Sequence, residues 1–336
     1  MKRRYVNELG HQEAVDEVFL VGSKQLRPNR SGNLYLQLEL SDRTGAIDAR
    51  LWNATEAIYK TFDPGDYVRV EGTAQLFQGA VQIIAKRVTK VDSEEVDEDE
   101  FSMLPAVEVD KLVRRMDEML RGMSDPHLKN LAECFLMDER FMDKFSRAPA
   151  GVKNHHAFNG GLLQHVVNLM EVVLKIAPCY PQIDRDLLLC GAFLHDIGKI
   201  EELSYDQGFA YTDEGQLLGH LVIAVGMLDQ KVGDAEKLAG DPIPEETVLR
   251  VKHMLVSHHG RYEFGSPKLP MTLEAMALHF LDNLDSKISS FDQLMREDPN
   301  VDSPWTFYHA NIDRKLFKGN RKEPCNSPTS NNNSST

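Results

Sequence analysis

Histidine and aspartate residues inside apolar stretches are the part of this sequence that could do chemistry. The chain has 12 histidines, and 11 of them follow residue 126. Those in apolar, helix-like segments are His165, His195, His220, His258 and His259, accompanied by Asp196 and Asp282. A single histidine on an apolar helix is usually a core residue. Several buried imidazoles and carboxylates would each cost about a few kcal/mol without partners. One shared divalent cation satisfies them together, as in metal sites inside helical bundles, so the pattern predicts a metal site.

The adjacent pair His195-Asp196 lies at the end of an apolar run, in "CGAFLHDIGKIEEL" at 190–203. Neighbouring helix residues point about 100° apart, so both can reach one metal only at a helix end or from a crowded centre. We expect Gly198 to supply that end by adopting the left-handed cap. The two oxygens of Asp196 could then bridge two cations. Imidazole combined with carboxylate favours Mn²⁺, with Co²⁺, Fe²⁺, Ni²⁺ and Zn²⁺ as alternatives.

Helical periodicity predicts an all-α domain over residues 106–317. In "AVEVDKLVRRMDEMLRGM", apolar residues recur on one face of a helix. Further helices are predicted at 125–146, 160–177, 185–197, 215–233, 244–258 and 272–297. The tail, 318–336, is polar and of low complexity, and we expect it to be disordered.

The first 90 residues are typical of β-structure. In "NLYLQLEL", leucines alternate with other residues, which places them on one face of a strand. About five such short strands, separated by turn sequences such as "SDRTG", predict a small closed or partly open barrel. The fold class is therefore multidomain, with a small all-β barrel at 1–90 followed by the helical domain.

Charge is unevenly distributed along this chain, whose net charge is −14. Residues 1–90 contain 13 Lys and Arg and 11 Asp and Glu, whereas residues 91–110 contain nine acids and no base. The segment 91–105 is predicted to be a solvated acidic linker. The alternative is an acidic flap that competes with nucleic acid for the mildly basic first domain.

The cysteines and the N-terminus favour a cytoplasmic location. The four cysteines are scattered and form no CxxC, which argues against a disulfide framework and against a zinc–thiolate site. No apolar run reaches the ~18 residues of a membrane span. The first residues, "MKRRYVNELG", lack the apolar core of a signal peptide. We expect no membrane partner.

The ordered motifs resemble a known family. His165, then His195-Asp196, then Asp282 match the signature of the HD-domain metal-dependent phosphohydrolases. The motifs "NHHAFNGGLLQHV", "FLHDIGKIEEL", "SHHG" with a following "SPKLP", "FLDNLDSKI" and "PWTFYHANIDRKLFKG" narrow the match. Together they look like the YhaM-type 3′-to-5′ exoribonucleases, over residues 12–319. That resemblance implies an OB-fold for the first domain and an HD-type helical bundle for the second.

The resemblance also implies roles for the site residues. One metal would be held by His165, His195, Asp196 and Asp282. Asp196 would bridge to a second metal, held by His220 and by His258, His259 or both. Asp285 lies on the same helix face as Asp282. It is either an alternative metal ligand to Asp282 or a residue that contacts a ligand from outside the metal site.

Several further residues are candidates for contact with substrate. Lys199 matches a family lysine that faces the substrate phosphate and would act with Asp196 in catalysis. The alternative for Lys199 is a solvated capping residue. His155 and His156 precede the site, and Arg261 follows the histidine pair, so we expect substrate contacts from His156 and Arg261. We assign His253, His279 and His309 to structure; the positions of all these residues are in the printed sequence.

The barrel would bind the nucleic acid strand. OB-folds bind single strands through a mildly basic groove and aromatic stacking platforms. The candidates opposite the leucine stripe are Tyr35, Arg50 and Trp52, joined by Arg69 and Phe77. Alternatively, Trp52 and Phe77 only seal one end of the barrel. The expected partner is single-stranded RNA, and the sequence leaves open single-stranded DNA and a homo-oligomer.

The favoured function is a metal-dependent 3′-to-5′ exoribonuclease that releases nucleoside 5′-monophosphates by metal-activated water. A second hypothesis is a phosphodiesterase for a small nucleotide or cyclic dinucleotide, which would share every ligand. The barrel argues against it, and "RYEFGSP" follows "HHG" where the cyclic-di-GMP branch has "GYP". A third hypothesis is a non-catalytic nucleic-acid-binding regulator. The complete set of ligands argues against that one.

Overall fold

The computed structural model describes residues 3–29, 31–77, 80–101, 104–151, 158–204, 210–296, 298, 300 and 303–319. His155, His156 and the predicted tail from residue 320 onward lie outside these residues.

Five strands form a closed barrel at the start of the chain. They are β1 (Ala14–Pro28), β2 (Leu34–Asp42), β3 (Gly45–Trp52), β4 (Tyr67–Phe77) and β5 (Ala80–Val91), with a short helix α1 (Glu56–Tyr59) after β3. The strand order around the barrel is β1-β2-β3-β5-β4. Only β3 and β5 pair in parallel, whereas the other pairs are antiparallel. The predicted alternation is confirmed, because Leu36, Leu38 and Leu40 are all buried inside the barrel.

From residue 106 to residue 296 the described part of the chain is mostly helical, whereas residues 303–319 form turns and isolated β-bridges. The helices are α2 (Ala106–Arg121), α3 (Pro126–Leu136), α4 (Glu139–Arg147), α5 (Gly161–Ile176), α6 (Arg185–Leu194), α7 (Lys199–Glu202), α8 (Asp213–Ala239), α9 (Glu245–Ser257) and α10 (Leu273–Arg296). A two-residue strand pair, β6 (Leu203–Ser204) with β7 (Ala210–Tyr211), lies between α7 and α8. The predicted order of a β-barrel followed by a helical bundle is confirmed.

Side-chain caps explain where several helices begin. Asp125, Asp184 and Thr212 each accept a hydrogen bond from a backbone N–H in the first turn of α3, α6 and α8. The prediction of one helix over 125–146 is wrong, because Asp138 caps a new helix by accepting from the N–H of Phe141 at 3.0 Å. Apolar periodicity continues across this break, so it could not reveal the break.

Two separate hydrophobic cores hold the two parts of the chain. Inside the barrel, Phe19, Phe62 and Ile83 are among the fully buried side chains. In the helical part, Phe193 of α6 packs edge-on against Phe135 and Phe145, with ring centroids 5.9 Å apart in both pairs. The aromatic cluster fixes α6 against α3 and α4, and α6 ends directly before His195.

Most of the acidic segment is exposed, as expected of a linker, but its C-terminal end is buried. Phe101 and Leu104 are buried, and the Phe101 ring lies 4.7 Å from that of Tyr67 on β4. Glu100 pairs with Arg3, whose guanidinium lies 4.3 Å from the centre of the Phe101 ring. The C-terminal end of this segment is therefore packed against the barrel.

One helix, spanning 161–179, is long and apolar enough to cross a membrane by length and composition alone. It consists of α5 and the short turn after it. Leu162, Leu163 and Val166 on this helix are fully buried in the helical core. Its composition is thus that of a central core helix, which places His165 inside the bundle.

Replacing Phe193 with Ala should destabilise the helical part alone. The loss of a buried aromatic ring costs about 3–5 kcal/mol, and Phe193 belongs only to the helical core. In a Trp305→Phe background, Trp52 fluorescence reports the barrel and circular dichroism reports the helices. We expect the Phe193→Ala midpoint in urea to fall by circular dichroism only. A matched Phe19→Ala variant should show the reverse, and equal shifts of both signals would contradict separate cores.

Candidate metal centre and nucleic-acid interface

Side chains from separate helices converge at one buried place in the bundle. They come from α5 (His165), the residues after α6 (His195 and Asp196), α8 (His220), the residues after α9 (His258 and His259) and α10 (Asp282). Each of three groups has ligand atoms within 4.8 Å of one another: His165, His195 and Asp282; His195, Asp196 and His258; and His220, His258 and His259. All seven metal ligands predicted from the sequence are therefore brought together.

Asp196 lies between two sets of histidines. Its Oδ2 is 3.2 Å from Nε2 of His195 and 3.9 Å from Nε2 of His165. Its Oδ1 is 3.5 Å from Nε2 of both His220 and His258. Among the described residues, this buried Oδ1 has no hydrogen-bond partner. One carboxylate thus presents a separate oxygen to each set, which is the geometry expected of a bridging ligand.

The histidines all point the same ring atom inward. In every case Nδ1 is within hydrogen-bonding distance of a fixed acceptor: Asp285 for His165, the Ala192 carbonyl for His195, Glu202 for His220, the Leu255 carbonyl for His258 and the Phe264 carbonyl for His259. Such partners fix the tautomer and the orientation of ligand imidazoles. The five Nε2 atoms are consequently left to face the centre, as donors to a cation require.

Glu202 is a site residue that the sequence did not single out. Its Oε1 accepts from the backbone N–H of His220 at 3.0 Å and lies 3.0 Å from Nδ1 of the same residue. Asp285 has the corresponding place for His165, with Oδ2 2.7 Å from Nδ1. The neighbouring Glu201 instead pairs with Lys144 at 2.6 Å. The sequence "KIEEL" gives no reason to choose between the two glutamates.

Glycines set the close backbone contacts around the site. The prediction of a left-handed cap at Gly198 is wrong, because its φ is −62°. A Cβ at Gly198 would lie 2.0 Å from the carbonyl oxygen of His220, so the glycine permits a close approach of backbones. Gly219, with φ 74°, interrupts α8 directly before His220. A Cβ at Gly191 would lie 2.5 Å from the sulfur of Met254, which brings α6 against α9.

Burial and charge set the protonation of the ligands. Burial lowers the pKa of His258 to about 4, so its imidazole is neutral at pH 7 and able to bind a metal. Burial also acts to lower the pKa of His165, but hydrogen bonds with Asp282 and Asp285 outweigh it and raise that pKa to about 9. A metal at His165 must therefore displace a proton.

The ion pair of Asp196 with Lys199 lies at the edge of this centre. Burial acts to raise the pKa of Asp196, but Lys199 and His195 lower it well below its ordinary value. Burial likewise acts to lower the pKa of Lys199, and Asp196 raises it. The Lys199 ammonium donates to Oδ2 of Asp196 at 2.6 Å. Lys199 is thus a cation held at the centre rather than a solvated capping residue.

The remaining predicted substrate contacts of the helical part differ in position. Arg261 is exposed, follows the histidine pair by two residues, and has its guanidinium 5.8 Å from the centre of the Phe264 ring. His156 lies outside the described residues. Away from the centre, His253 accepts from the N–H of Met271 through Nε2 at 2.9 Å.

Aromatic and basic side chains share one wall of the barrel. Tyr35 and Trp52 are opposite each other on β2 and β3, with ring centroids 5.0 Å apart. Arg50 lies 5.5 Å from the centre of the Phe77 ring, and its buried Nε has no partner within the described part of the chain. Trp52 and Phe77 are both 43% exposed, so neither is simply sealed into the barrel. Arg69 is separate, in a two-bond ion pair with Asp16.

Comparisons with known proteins agree with both parts of the fold. The model of the OB-fold nucleic acid binding domain matches residues 19–91, and that of the HD domain matches residues 162–287. A protein from Bacillus subtilis (strain 168) named "3'-5' exoribonuclease YhaM" is 36% identical over 291 residues, covering 86% of this chain and 90% of its own length. The chain belongs to the YhaM family of 3′-5′ exoribonucleases. The resemblance predicted from the motifs is confirmed.

Other YhaM proteins show the same extent of similarity. The relative from Bacillus velezensis is 35% identical and that from Geobacillus sp. (strain WCH70) is 34% identical, each over 86% of this chain and over 90% and 87% of their own lengths. A solved structure, the second OB-fold domain of replication protein A from Methanococcus maripaludis, is 20% identical and covers 28% of this chain and 99% of its own. Its TM-score with this chain is 0.23.

Replacing Gly198 with Ala should damage this centre through the backbone. The added methyl group would meet the carbonyl of His220 at 2.0 Å, and overpacking of this kind costs about 1–3 kcal/mol. We expect a lower melting temperature and weaker binding of Mn²⁺ by isothermal titration. The control is Gly226→Ala on α8, where a Cβ has nothing within 4 Å. If Gly198→Ala bound Mn²⁺ as tightly as the control, the close contact would not matter.

Proposed function

We propose that this protein is a divalent-metal-dependent 3′-to-5′ exoribonuclease that hydrolyses single-stranded RNA to nucleoside 5′-monophosphates. The observation that carries the proposal is the position of Asp196, buried between two sets of histidine Nε2 atoms. The names of its YhaM relatives supply the reaction and the substrate class. The cytoplasmic location expected from the sequence stays a prediction.

The residues at the centre fit a pair of divalent cations. One cation would be held by His165, His195, Asp282 and Oδ2 of Asp196. The other would be held by His220, His258, His259 and Oδ1 of Asp196, the buried oxygen that has no hydrogen-bond partner among the described residues. A ligand set of imidazoles and carboxylates with no thiolate supports Mn²⁺ first, with Co²⁺, Fe²⁺, Ni²⁺ or Zn²⁺ as alternatives. When bound, such a pair activates a water and neutralises the charge of a phosphodiester.

The chain's own residues orient this chemistry. Glu202 and Asp285 hold the rings of His220 and His165, so the inward Nε2 atoms keep their directions without rearrangement. The ammonium of Lys199 would stabilise negative charge that develops on the phosphoryl oxygens. Because Lys199 also pairs with Asp196, its position is coupled to that of the bridging carboxylate.

The barrel would hold the strand on its way to the centre. Trp52 and Tyr35 offer an exposed aromatic surface, and Arg50 lies beside Phe77 on the same wall. Stacking on aromatic side chains tolerates any base, so this wall favours single strands with little sequence preference. Single-stranded DNA is a second possible substrate, because discrimination from RNA requires contacts to the 2′-hydroxyl.

A 5′-labelled oligoribonucleotide incubated with the protein and Mn²⁺ tests the proposal. We expect a ladder that shortens from the 3′ end and release of nucleoside 5′-monophosphates. Hydrolysis of a cyclic dinucleotide without shortening of the RNA would instead support a small-nucleotide phosphodiesterase. Binding of RNA with no hydrolysis under any of the five candidate metals would support a non-catalytic regulator.

Asp196→Ala should abolish hydrolysis and lower the Mn²⁺ content, because both proposed cations lose a shared ligand. RNA binding measured by fluorescence anisotropy should be nearly unchanged, since the barrel is a separate core. The control is His253→Ala, which removes a histidine outside the centre. Near-normal hydrolysis by Asp196→Ala would show that the centre has been assigned wrongly.

Trp52→Ala should weaken RNA binding. Stacking contributes about 1–3 kcal/mol per base, so we expect the dissociation constant of a 20-nucleotide RNA to rise by about 5- to 150-fold. Hydrolysis of a dinucleotide should change much less, because the proposed strand-binding wall would contribute little to so short a substrate. The control is Tyr180→Ala, an exposed aromatic residue of the helical part. Equal losses on long and short substrates would contradict this division of labour.

A further inference from the structure

A short loop after the histidine pair carries two exposed aromatic side chains beside the metal centre. The loop runs from Gly260 to Gly265 and contains a single 3₁₀ turn, Tyr262–Phe264. Tyr262 is 63% exposed and Phe264 is 61% exposed. Isolated exposed apolar residues are common in proteins, so their surroundings decide whether these two have a role.

The backbone of the loop is within hydrogen-bonding distance of His259, a candidate metal ligand. The carbonyl oxygen of Phe264 is 2.9 Å from Nδ1 of His259, the ring atom opposite the inward Nε2. The loop therefore lies against the outer side of the second set of histidines. The imidazole ring of His259 thus connects this loop to the inward-facing Nε2 atoms of the centre.

The backbone of the loop is held in one conformation. Gly260 and Gly265 both have positive φ, of 76° and 80°, which favours glycine. The ring of His279 packs against Gly260, where a Cβ would lie 2.1 Å from the imidazole. At the far end, Ser266 is 3% exposed and donates from Oγ to the Val256 carbonyl at 3.1 Å. A rigid loop holds aromatic rings in place before a ligand arrives, which lowers the entropy cost of binding.

The charge of the loop suits a nucleic acid strand. The Arg261 guanidinium lies 5.8 Å from the Phe264 ring and has no carboxylate partner among the residues that the structure describes. A cation beside an aromatic surface can contact a phosphate while the ring takes the base, a combination used in sequence-tolerant binding of single strands. A small apolar ligand would gain nothing from Arg261, so a nucleotide is the occupant that the loop fits.

We propose that Tyr262 and Phe264 form a stacking platform for the bases at the 3′ end of the strand, separate from the platform on the barrel. This inference rests on the proposed function. The barrel would hold the strand at a distance, and the loop would position the nucleotide next to the scissile bond. Such a platform reads no base identity, because every base has a π-face.

Two RNA substrates test the platform, one ending in an ordinary 3′ nucleotide and the other ending in an abasic 3′ ribose. The wild type should cleave the ordinary end faster. Tyr262→Ala should lower kcat/KM on the ordinary end by about 5- to 150-fold, the range expected for one stacked base. It should leave kcat/KM on the abasic end nearly unchanged. Tyr262→Phe should restore the preference, and Phe264→Ala should behave like Tyr262→Ala.

A control variant and two further readouts separate stacking from damage to the fold. Leu249→Ala removes an exposed apolar side chain of α9 that has no place in the platform and should keep the wild-type preference. Melting temperature and Mn²⁺ content should be the same in Tyr262→Ala and the wild type. If Tyr262→Ala and Phe264→Ala cleaved both substrates in the wild-type ratio, the platform would be ruled out.

A fluorescence measurement keeps the platform testable even if RNA is not hydrolysed. In the Asp196→Asn background, an RNA with 2-aminopurine at its 3′ end should lose fluorescence on binding, because stacking quenches this base. The quenching should disappear when Tyr262 and Phe264 are both replaced by Ala, whereas 2-aminopurine placed mid-strand should be unaffected. Failure of the wild type to shorten RNA would refute the proposed function alone. Unchanged quenching at the 3′ end would refute the platform.

Discussion

The buried carboxylate of Asp196 carries a charge that the surrounding helical bundle has to stabilise. It is 2% exposed, and removing a carboxylate from water is costly unless positive charge or hydrogen bonds replace the water. Lys199 supplies one contact to Oδ2, and the histidine Nε2 atoms approach both oxygens without donating to Oδ1. The helices therefore carry polar ligands at positions where an ordinary bundle would place apolar side chains. Outside those ligands, the buried Glu202 and the partly buried Asp285 lie within hydrogen-bonding distance of Nδ1 of His220 and His165.

Small residues allow these helices to come close enough for the ligands to meet. The backbone of His220 occupies the space that a Cβ would fill at Gly198, and the side chain of Met254 does so at Gly191. At Gly219, α8 is interrupted directly before His220, whose ring faces the centre. These are contacts between residues far apart in the sequence. The site consequently depends on backbone packing as much as on the identity of its ligands, which explains why a methyl group outside the ligand set can matter.

The candidate ligands could be picked out from the sequence more readily than the residues that orient them. His165 and the pair His195-Asp196 were recognisable because polar residues interrupt apolar helical periodicity. The barrel was recognisable because leucines alternate along β2. Glu202 was missed because its partner, His220, lies 18 residues away and adjacent Glu201 has the same side chain. The role of Gly198 was misjudged for the same reason, since local cap preferences say nothing about a distant carbonyl.

Because the C-terminal end of the acidic segment packs against the barrel, the folded unit is longer than the residues that match the OB-fold family. The OB-fold match covers residues 19–91. Arg3 on one side and Glu100 on the other nevertheless meet across the outer wall, and Phe101 covers the ring of Tyr67. A fragment trimmed to the matched residues would expose this aromatic surface to water. It would also lack the ion pair between Arg3 and Glu100 that joins the two ends of the unit. A piece that runs from residue 3 to residue 101 keeps both of these contacts, so it is the unit to transfer when the barrel is grafted onto another nuclease.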